Sequence, residues 1–239
     1  MVDARDAPVL AVLTRAPSTG GKTRLFRALG IAPDPALLTA LLLDTLDGAA
    51  AAGVRRVVAV TPPSACAELR ALVGDAEVVA QPEGDLGARM RETMAALLAR
   101  GAPAVVMIGS DLPHISAALI ADACARVMTD PDALVLGPAT DGGYYLIAAR
   151  RVPDVFSDVA WGSPQVLAQT ERAAVADGLR VRYLPPTHDV DTPDDLQSAV
   201  GSGRAPRTAA WCQAQAGRIR GAAPPAPGPS SVRTRLYWD

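Results

Sequence analysis

The sequence predicts an α/β protein, a single domain whose mostly parallel sheet carries helices on both faces. Two observations predict it. Short apolar runs alternate with longer segments of helical period along most of the chain, the rhythm of strand-crossover-strand units. The apolar runs are also nearly continuous, as in Val57–Val60 and Ala104–Ile108, which suits strands buried on both sides.

Residues 8–14 (PVLAVLT) read as the first strand, followed by the loop RAPSTGG. A helical segment opens near Lys22 and stops at Gly30. Ala36 to Ala52 reads as a long helix, with Leu at 37, 38, 41, 42 and 46 and Gly53 as its C-terminal cap. Val54–Thr61 is the second strand, closed by Pro62-Pro63. A short helix over Ser64–Val73, a third strand over Glu77–Gln81 and a helix over Asp85–Arg100 follow. The fourth strand is Ala104–Ile108, broken by Gly109 and Ser110. Ser116–Met128 is helical, and Ala133–Leu136 is the fifth strand.

Beyond Gly137 the rhythm changes. GPATDGGYYLIAA holds an Asp141-Gly142-Gly143 turn between two strand-like runs, which predicts an antiparallel excursion. Ser163–Ala176 reads as a helix and Leu179–Leu184 as a strand. Thr192–Val200 is a helix with Thr192 as N-cap and Pro193 at its first position. No repeat at solenoid spacing is present. Residues 201–239 carry five prolines, five glycines, six arginines and a single acid, Asp239. AAPPAPGPSS cannot hold regular structure, so 201–239 is read as a flexible tail behind a domain over 1–200.

Composition narrows the function. The chain has 239 residues, 49% hydrophobic and only 4% aromatic, so its core is mostly Ala, Val and Leu. A net charge of −2 gives no reason to expect nucleic acid or an anionic membrane as partner. Three cysteines without metal-ligand spacing fit reduced thiols. No apolar run approaches the roughly 20 residues that span a bilayer. Asp3, Arg5 and Asp6 precede the first strand without a signal-peptide pattern. The expectation is a cytoplasmic protein. All but one of its 23 basic residues are arginine, the exception being Lys22.

Four motifs carry chemistry. In GSDLP, Asp111 sits where a parallel strand delivers its last side chain, the edge at which open α/β sheets bind ligands. A carboxylate there suits a hard cation, and it equally suits capping of the next helix. In TRAPSTGGKTRL, the amides around Gly20 and Gly21 at a strand-to-helix loop form an anion site. Lys22 and Arg24, with Arg15 beside them, add the charge a di- or triphosphate calls for. The rival is a P-loop: Gly21-Lys22-Thr23 fits G-x-x-x-x-G-K-[ST], but Ala16 stands at its first glycine. In DGGYY, Gly142 and Gly143 behind Asp141 admit a ligand or another backbone, or form a hairpin turn. In THDVDTPDDL, Asp189 and Asp191 lie two apart and point the same way in extended chain. They either complete a metal site with Asp111 or serve the helix N-terminus, as Asp194 and Asp195 do. In QPEGDLGARM, Asp85 faces a base or sugar, or caps the next helix. Trp161 of WGSPQVL stacks on an acceptor or packs internally. His188 beside Asp189 acts as a base or orients a carboxylate, and packing is the alternative for it and for His114.

Taken in register, these six segments resemble the GT-A-type transferases of the radical-SAM/selenodomain-associated transferase 1 family, a glycosyltransferase-type group. Its wider superfamily includes nucleotide-diphospho-sugar transferases and nucleotidyltransferases such as 2-phospho-lactate guanylyltransferase. The likeness runs from residue 8 to about 200. It implies a GT-A fold, a nucleotide substrate and a divalent metal, Mg2+ or Mn2+. Metal ligation would fall on Asp111 with Asp189 or Asp191 as second ligand, and phosphate contact on Lys22 and Arg24. Arg15 stands where relatives often carry Lys. The resulting expectation is a metal-dependent transferase using a nucleotide-sugar donor and a small-molecule acceptor, with Asp141 as acceptor ligand or base. The alternative is nucleotidyl transfer from a nucleoside triphosphate with release of pyrophosphate. A P-loop ATPase or kinase and a non-catalytic nucleotide-binding module are the further alternatives.

Overall fold

The computed structural model describes residues 7–219. Seven strands form one sheet: β1 (Val9–Arg15), β2 (Arg55–Thr61), β3 (Glu77–Ala80), β4 (Val105–Gly109), β5 (Ala133–Pro138), β6 (Tyr144–Ala149) and β7 (Arg180–Tyr183). Their spatial order is β3-β2-β1-β4-β6-β5-β7. All neighbouring pairs are parallel except those of β6, which runs antiparallel to both β4 and β5. The antiparallel excursion predicted around DGGYY is therefore β6, inserted between two strands that point the same way. As a result the loops after β1, β3, β4, β5 and β7 all leave one edge of the sheet, and every motif singled out above except WGSPQVL lies on one of them or just beyond it.

The apolar runs are buried on both faces because successive residues feed different cores. Leu10, Val12, Val58, Val60, Val106 and Ile108 face one core. It is covered by α2 (Pro35–Ala49), α3 (Cys66–Leu72) and α5 (Ala117–Thr129). Val9, Ala11, Leu13, Val57, Ala59, Val105 and Met107 face the other. It is covered by α4 (Leu86–Ala99) and α6 (Val166–Ala176). Helix starts follow the sequence signals. Asp85 accepts from the Ala88 amide, Ser116 from the Leu119 amide, and Thr192 with Asp195 forms a capping box at the start of α7 (Pro193–Gly201). Pro35–Ala52 is the one stretch among the described residues long and apolar enough to cross a bilayer. Leu37, Leu41, Leu42 and Leu46 of that stretch are buried in the protein core.

The reading of 201–239 as a flexible tail needs correction over its first half. Pro206–Ile219 is a helix, α8, seated on α2. A fully buried carboxylate, Asp44 of α2, accepts hydrogen bonds from the main-chain amides of Arg207 (3.2 Å) and Thr208 (2.8 Å) and from the Thr208 hydroxyl (2.8 Å). These amides belong to the first turn of α8, where a helix has donors to spare. Trp211 is buried, donates through Nε1 to Asp34 (2.8 Å) and meets Phe26 edge-on. The AAPPAPGPSS segment lies outside the described residues.

A third core results. Leu25, Phe26 and Leu29 of α1 (Thr23–Leu29), Leu37 and Leu41 of α2, Leu196 and Ala199 of α7, and Trp211 of α8 enclose Val190. This cluster backs the loop that carries Lys22 on one side and the Asp189–Asp191 segment on the other.

Candidate active site

Three segments converge beyond β1 and β4. After β1, the chain makes a short 3-10 turn over Pro17–Thr19. It then passes through Gly20 and Gly21, both at positive φ, to Lys22, itself left-handed at φ 49°. A non-glycine residue pays to hold that conformation, and here it directs the ammonium inward. The Lys22 side chain is only 8% exposed. Its Nζ forms an ion pair with Asp111 and another, at 2.7 Å, with Asp191 Oδ1. Arg15 and Arg24 lie exposed on either side of this loop.

The loop's amides are partly spoken for. Gly20 donates to the Pro17 carbonyl (3.2 Å), and Ser18 donates its amide to Glu68 Oε1 on α3 (3.2 Å), with its hydroxyl also on that carboxylate. Glu68 was not singled out in the sequence, and no local signal marks it.

Asp111 is positioned from two sides. Thr45, fully buried on α2, accepts from the Leu112 amide (3.2 Å) and donates toward the Ser110 carbonyl (3.1 Å). Thr14 Oγ1 donates to Ser110 Oγ (3.0 Å). Gln81, at the end of β3, is buried with its amide nitrogen on the Thr14 and Ala59 carbonyls (2.9 and 2.8 Å), tying β1 and β2 together beneath the site. Thr45 and Gln81 were missed from sequence because each acts across more than 20 residues through one polar atom. The Asp189–Asp191 segment is fixed by Val190, whose amide donates to the Asp111 carbonyl (3.0 Å). Asp195 accepts from the Asp191 amide (3.1 Å), so it holds the backbone from the α7 side.

The electrostatics are those of a crowded anionic pocket. Burial opposes the charge on Lys22, but Asp111 and Asp191 outweigh it and hold the ammonium protonated. Asp189 is pushed well above the usual carboxylate range, first by burial and then by the charges of Asp111, Asp191 and Asp141, against the pull of Lys22. Its Oδ1 is buried without a hydrogen-bond partner. Unpartnered buried carboxylate oxygen is costly unless a cation or donor meets it. Hard oxygen donors from Asp111, Asp189 and Asp191 match the chemistry of Mg2+ or Mn2+. Among the described residues, however, no three acidic, histidine or cysteine side chains stand in a ready-made metal-holding arrangement. The carboxylates are arranged around an ammonium.

The remaining predicted residues divide. Asp141 accepts from the Gly143 amide through Oδ1 (3.1 Å), and its charge reaches Asp189. Gly142, at φ 93°, lies so close to Pro164 that an added Cβ would sit 2.3 Å from the Pro164 carbonyl oxygen. DGGYY and WGSPQVL therefore touch backbone to backbone, with Leu167 donating to the Gly142 carbonyl (3.0 Å). Gly143 is buried beside it. Asp85 caps α4, the structural alternative stated for it. Trp161 lies against Gly87 and edge-on to Tyr144, an internal packing role. His114 and His188 stack at 4.8 Å, and His114 Nε2 meets Thr187 Oγ1 at 3.0 Å.

A doubly covered mixed sheet with a basic loop after β1 and convergent carboxylates after β4 and β7 defines a transferase of the nucleotide-diphospho-sugar transferase fold. A structure from Desulfovibrio desulfuricans G20, described as a candidate nucleotide-diphospho-sugar transferase, superimposes with a TM-score of 0.80 at 30% identity, covering 90% of this chain and 98% of that one. A nucleotidyl transferase from Methanothermobacter thermautotroptrophicus shares the fold at 19% identity, over 82% of this chain and 98% of that one, with a TM-score of 0.59. In sequence, the chain is 33% identical over 204 residues to the 3-phospho-D-glycerate guanylyltransferase of Phenylobacterium zucineum, covering 82% of this chain and 90% of that protein. It is also 33% identical to the phosphoenolpyruvate guanylyltransferase of Streptosporangium roseum, over 85% of this chain and 88% of that protein. A family model described as "Uncharacterized protein conserved in bacteria (DUF2064)" matches residues 45–163. The chain belongs to the same protein family as these guanylyltransferases. The relatives support the wider superfamily, whereas the narrower radical-SAM-associated group rests on the sequence motifs alone.

Proposed function

We propose that the protein is a metal-dependent nucleotidyltransferase that joins a nucleoside monophosphate from a triphosphate donor, GTP first among them, to a small phosphorylated acid. An acceptor phosphate oxygen attacks the α-phosphorus. A new P–O–P bridge forms, the bond from the α-phosphorus to the bridging oxygen breaks, and pyrophosphate leaves. The observation that carries this reading is the basic loop directly after β1, which brings Arg15, Lys22 and Arg24 to the edge where Asp111 and Asp191 converge, because a triphosphate needs a dense grip at its β and γ groups. The names of the curated relatives support it over the nucleotide-sugar reading given first from sequence.

Asp111, Asp189 and Asp191 would hold Mg2+ or Mn2+, which when bound neutralises charge on the phosphates and the leaving pyrophosphate. Lys22, Arg24 and Arg15 bind and orient the triphosphate, and Gly21 lets its phosphates approach the backbone. Asp141, beside Asp189, meets the acceptor. The enclosed setting of Lys22 and Asp111 strengthens their charge contacts relative to water.

Nucleotide-sugar transfer is the second reading, favoured by the description of the Desulfovibrio protein. One experiment separates them. The protein is incubated with Mg2+, each of the four nucleoside triphosphates or a set of nucleotide sugars, and a panel of phosphorylated C3 acids. Pyrophosphate formed only with triphosphate and acid together supports nucleotidyl transfer. Nucleoside diphosphate released from a nucleotide sugar overturns it.

A further inference from the structure

We infer that Lys22 holds the place of the divalent cation among the carboxylates until a triphosphate draws it away, so that metal and nucleotide bind as a coupled pair. This rests on the nucleotidyl-transfer reading and goes beyond it, by giving one side chain two successive partners.

Three observations carry it. The ammonium contacts Asp111 and Asp191 at once, from a side chain almost wholly enclosed. Both carboxylates are among those that a metal would need. Second, the described acidic groups are not gathered into a ready-made cation site, although Asp189 brings a buried oxygen with no hydrogen-bond partner to the same place. Asp111, Asp191 and Asp141 stand close enough for their charges to act on Asp189. Third, Lys22 belongs to the loop that follows β1, where the phosphates would be gripped, and it sits at the start of α1 in a left-handed backbone conformation. A lysine suits such an exchange. It is a compact charge on a flexible four-carbon stem, whereas a guanidinium is a planar fork that is best held in one geometry.

The exchange has a thermodynamic consequence. A metal arriving alone must compete with an ammonium for the same oxygens. A triphosphate arriving alone must pull Lys22 from two carboxylates and leave them uncompensated. Each ligand removes the obstacle to the other, and the coupling is reciprocal.

The test is Mn2+ binding to the full chain, followed by the electron paramagnetic resonance signal of free Mn2+, in wild type and Lys22→Met, with and without a triphosphate carrying a methylene bridge between its α and β phosphorus atoms. Wild type should bind Mn2+ alone weakly. Lys22→Met should bind Mn2+ alone at least tenfold more tightly and gain less from the triphosphate than wild type does. Thermal melts establish that the variant is folded, and Lys22→Gln serves if the methionine variant is not. Mn2+ affinity of the folded variant equal to or below that of wild type overturns the inference while leaving nucleotidyl transfer standing. Failure of every protein to bind Mn2+ even with the triphosphate present removes the metal-dependent reading itself, and the inference with it.

Discussion

The main-chain amide of Val190 donates to the main-chain carbonyl of Asp111 at 3.0 Å. This single bond joins two segments nearly 80 residues apart and sets the spacing of their carboxylates. The Asp111 backbone does the positioning, while its side chain is paired with Lys22. Asp111→Asn should therefore keep the fold and lose the function. Pyrophosphate release should fall by about 100- to 1000-fold, the usual cost of removing one electrostatic support of a transition state. The melting temperature should stay within a few degrees of wild type. A variant with full turnover would remove Asp111 from the site.

The contact between DGGYY and WGSPQVL makes its own prediction. Alanine at Gly142 would need a positive φ and would place Cβ against the Pro164 backbone, which cannot swing aside as a side-chain tip could. Strain and overpacking together should cost about 3 kcal/mol, read as a lower urea midpoint at unchanged slope.

Asp44→Ala should destabilise the protein by about 3–5 kcal/mol, because it removes the acceptor shared by the Arg207 and Thr208 amides and the Thr208 hydroxyl inside the fold. The loss should be local first. Limited proteolysis of the variant should cut within 203–217 before it touches the sheet. Protection equal to wild type would show that α8 is held by Trp211 and not by its cap.

A pH effect follows from His114. Burial first, then the charges of His188 and Arg204, lower it to about 4, with Asp195 pulling the other way. The unfolded chain, titrating near 6.5, therefore takes up its proton before the folded one does. Stability present above pH 6.5 should decline as the pH falls towards 4. Urea unfolding at pH 7.5, 5.5 and 4.5 measures it, and His114→Gln should flatten this part of the profile.

The sequence displayed the sheet well. Strands such as β1 and β4 are short apolar runs with punctuation on both sides, and the periodicity change at Gly137 marked β6 as the odd strand. Side-by-side order was less visible, since nothing local says that β6 enters between β4 and β5. Helix α8 was lost to averaging. Five prolines and five glycines spread over 201–239 masked a helical stretch whose anchor, Asp44, is more than 160 residues away. At the site, the residue types and their loops were legible, whereas the choice between cap and contact at Asp85 was decided only by the structure, where its carboxylate accepts from the Ala88 amide. The partner of Lys22 was not. From spacing alone it belonged with phosphate, whereas the structure places it on two carboxylates, one of them 169 residues distant.

That lysine is the sole one in the chain. Amine chemistry on this protein therefore has one internal address, and it lies in the middle of the pocket. ¹³C-lysine supplied during expression would give a single set of lysine side-chain resonances, sensitive to whatever displaces the ammonium from its acids. A composition that looks like a codon-usage accident thus equips the molecule with a built-in reporter.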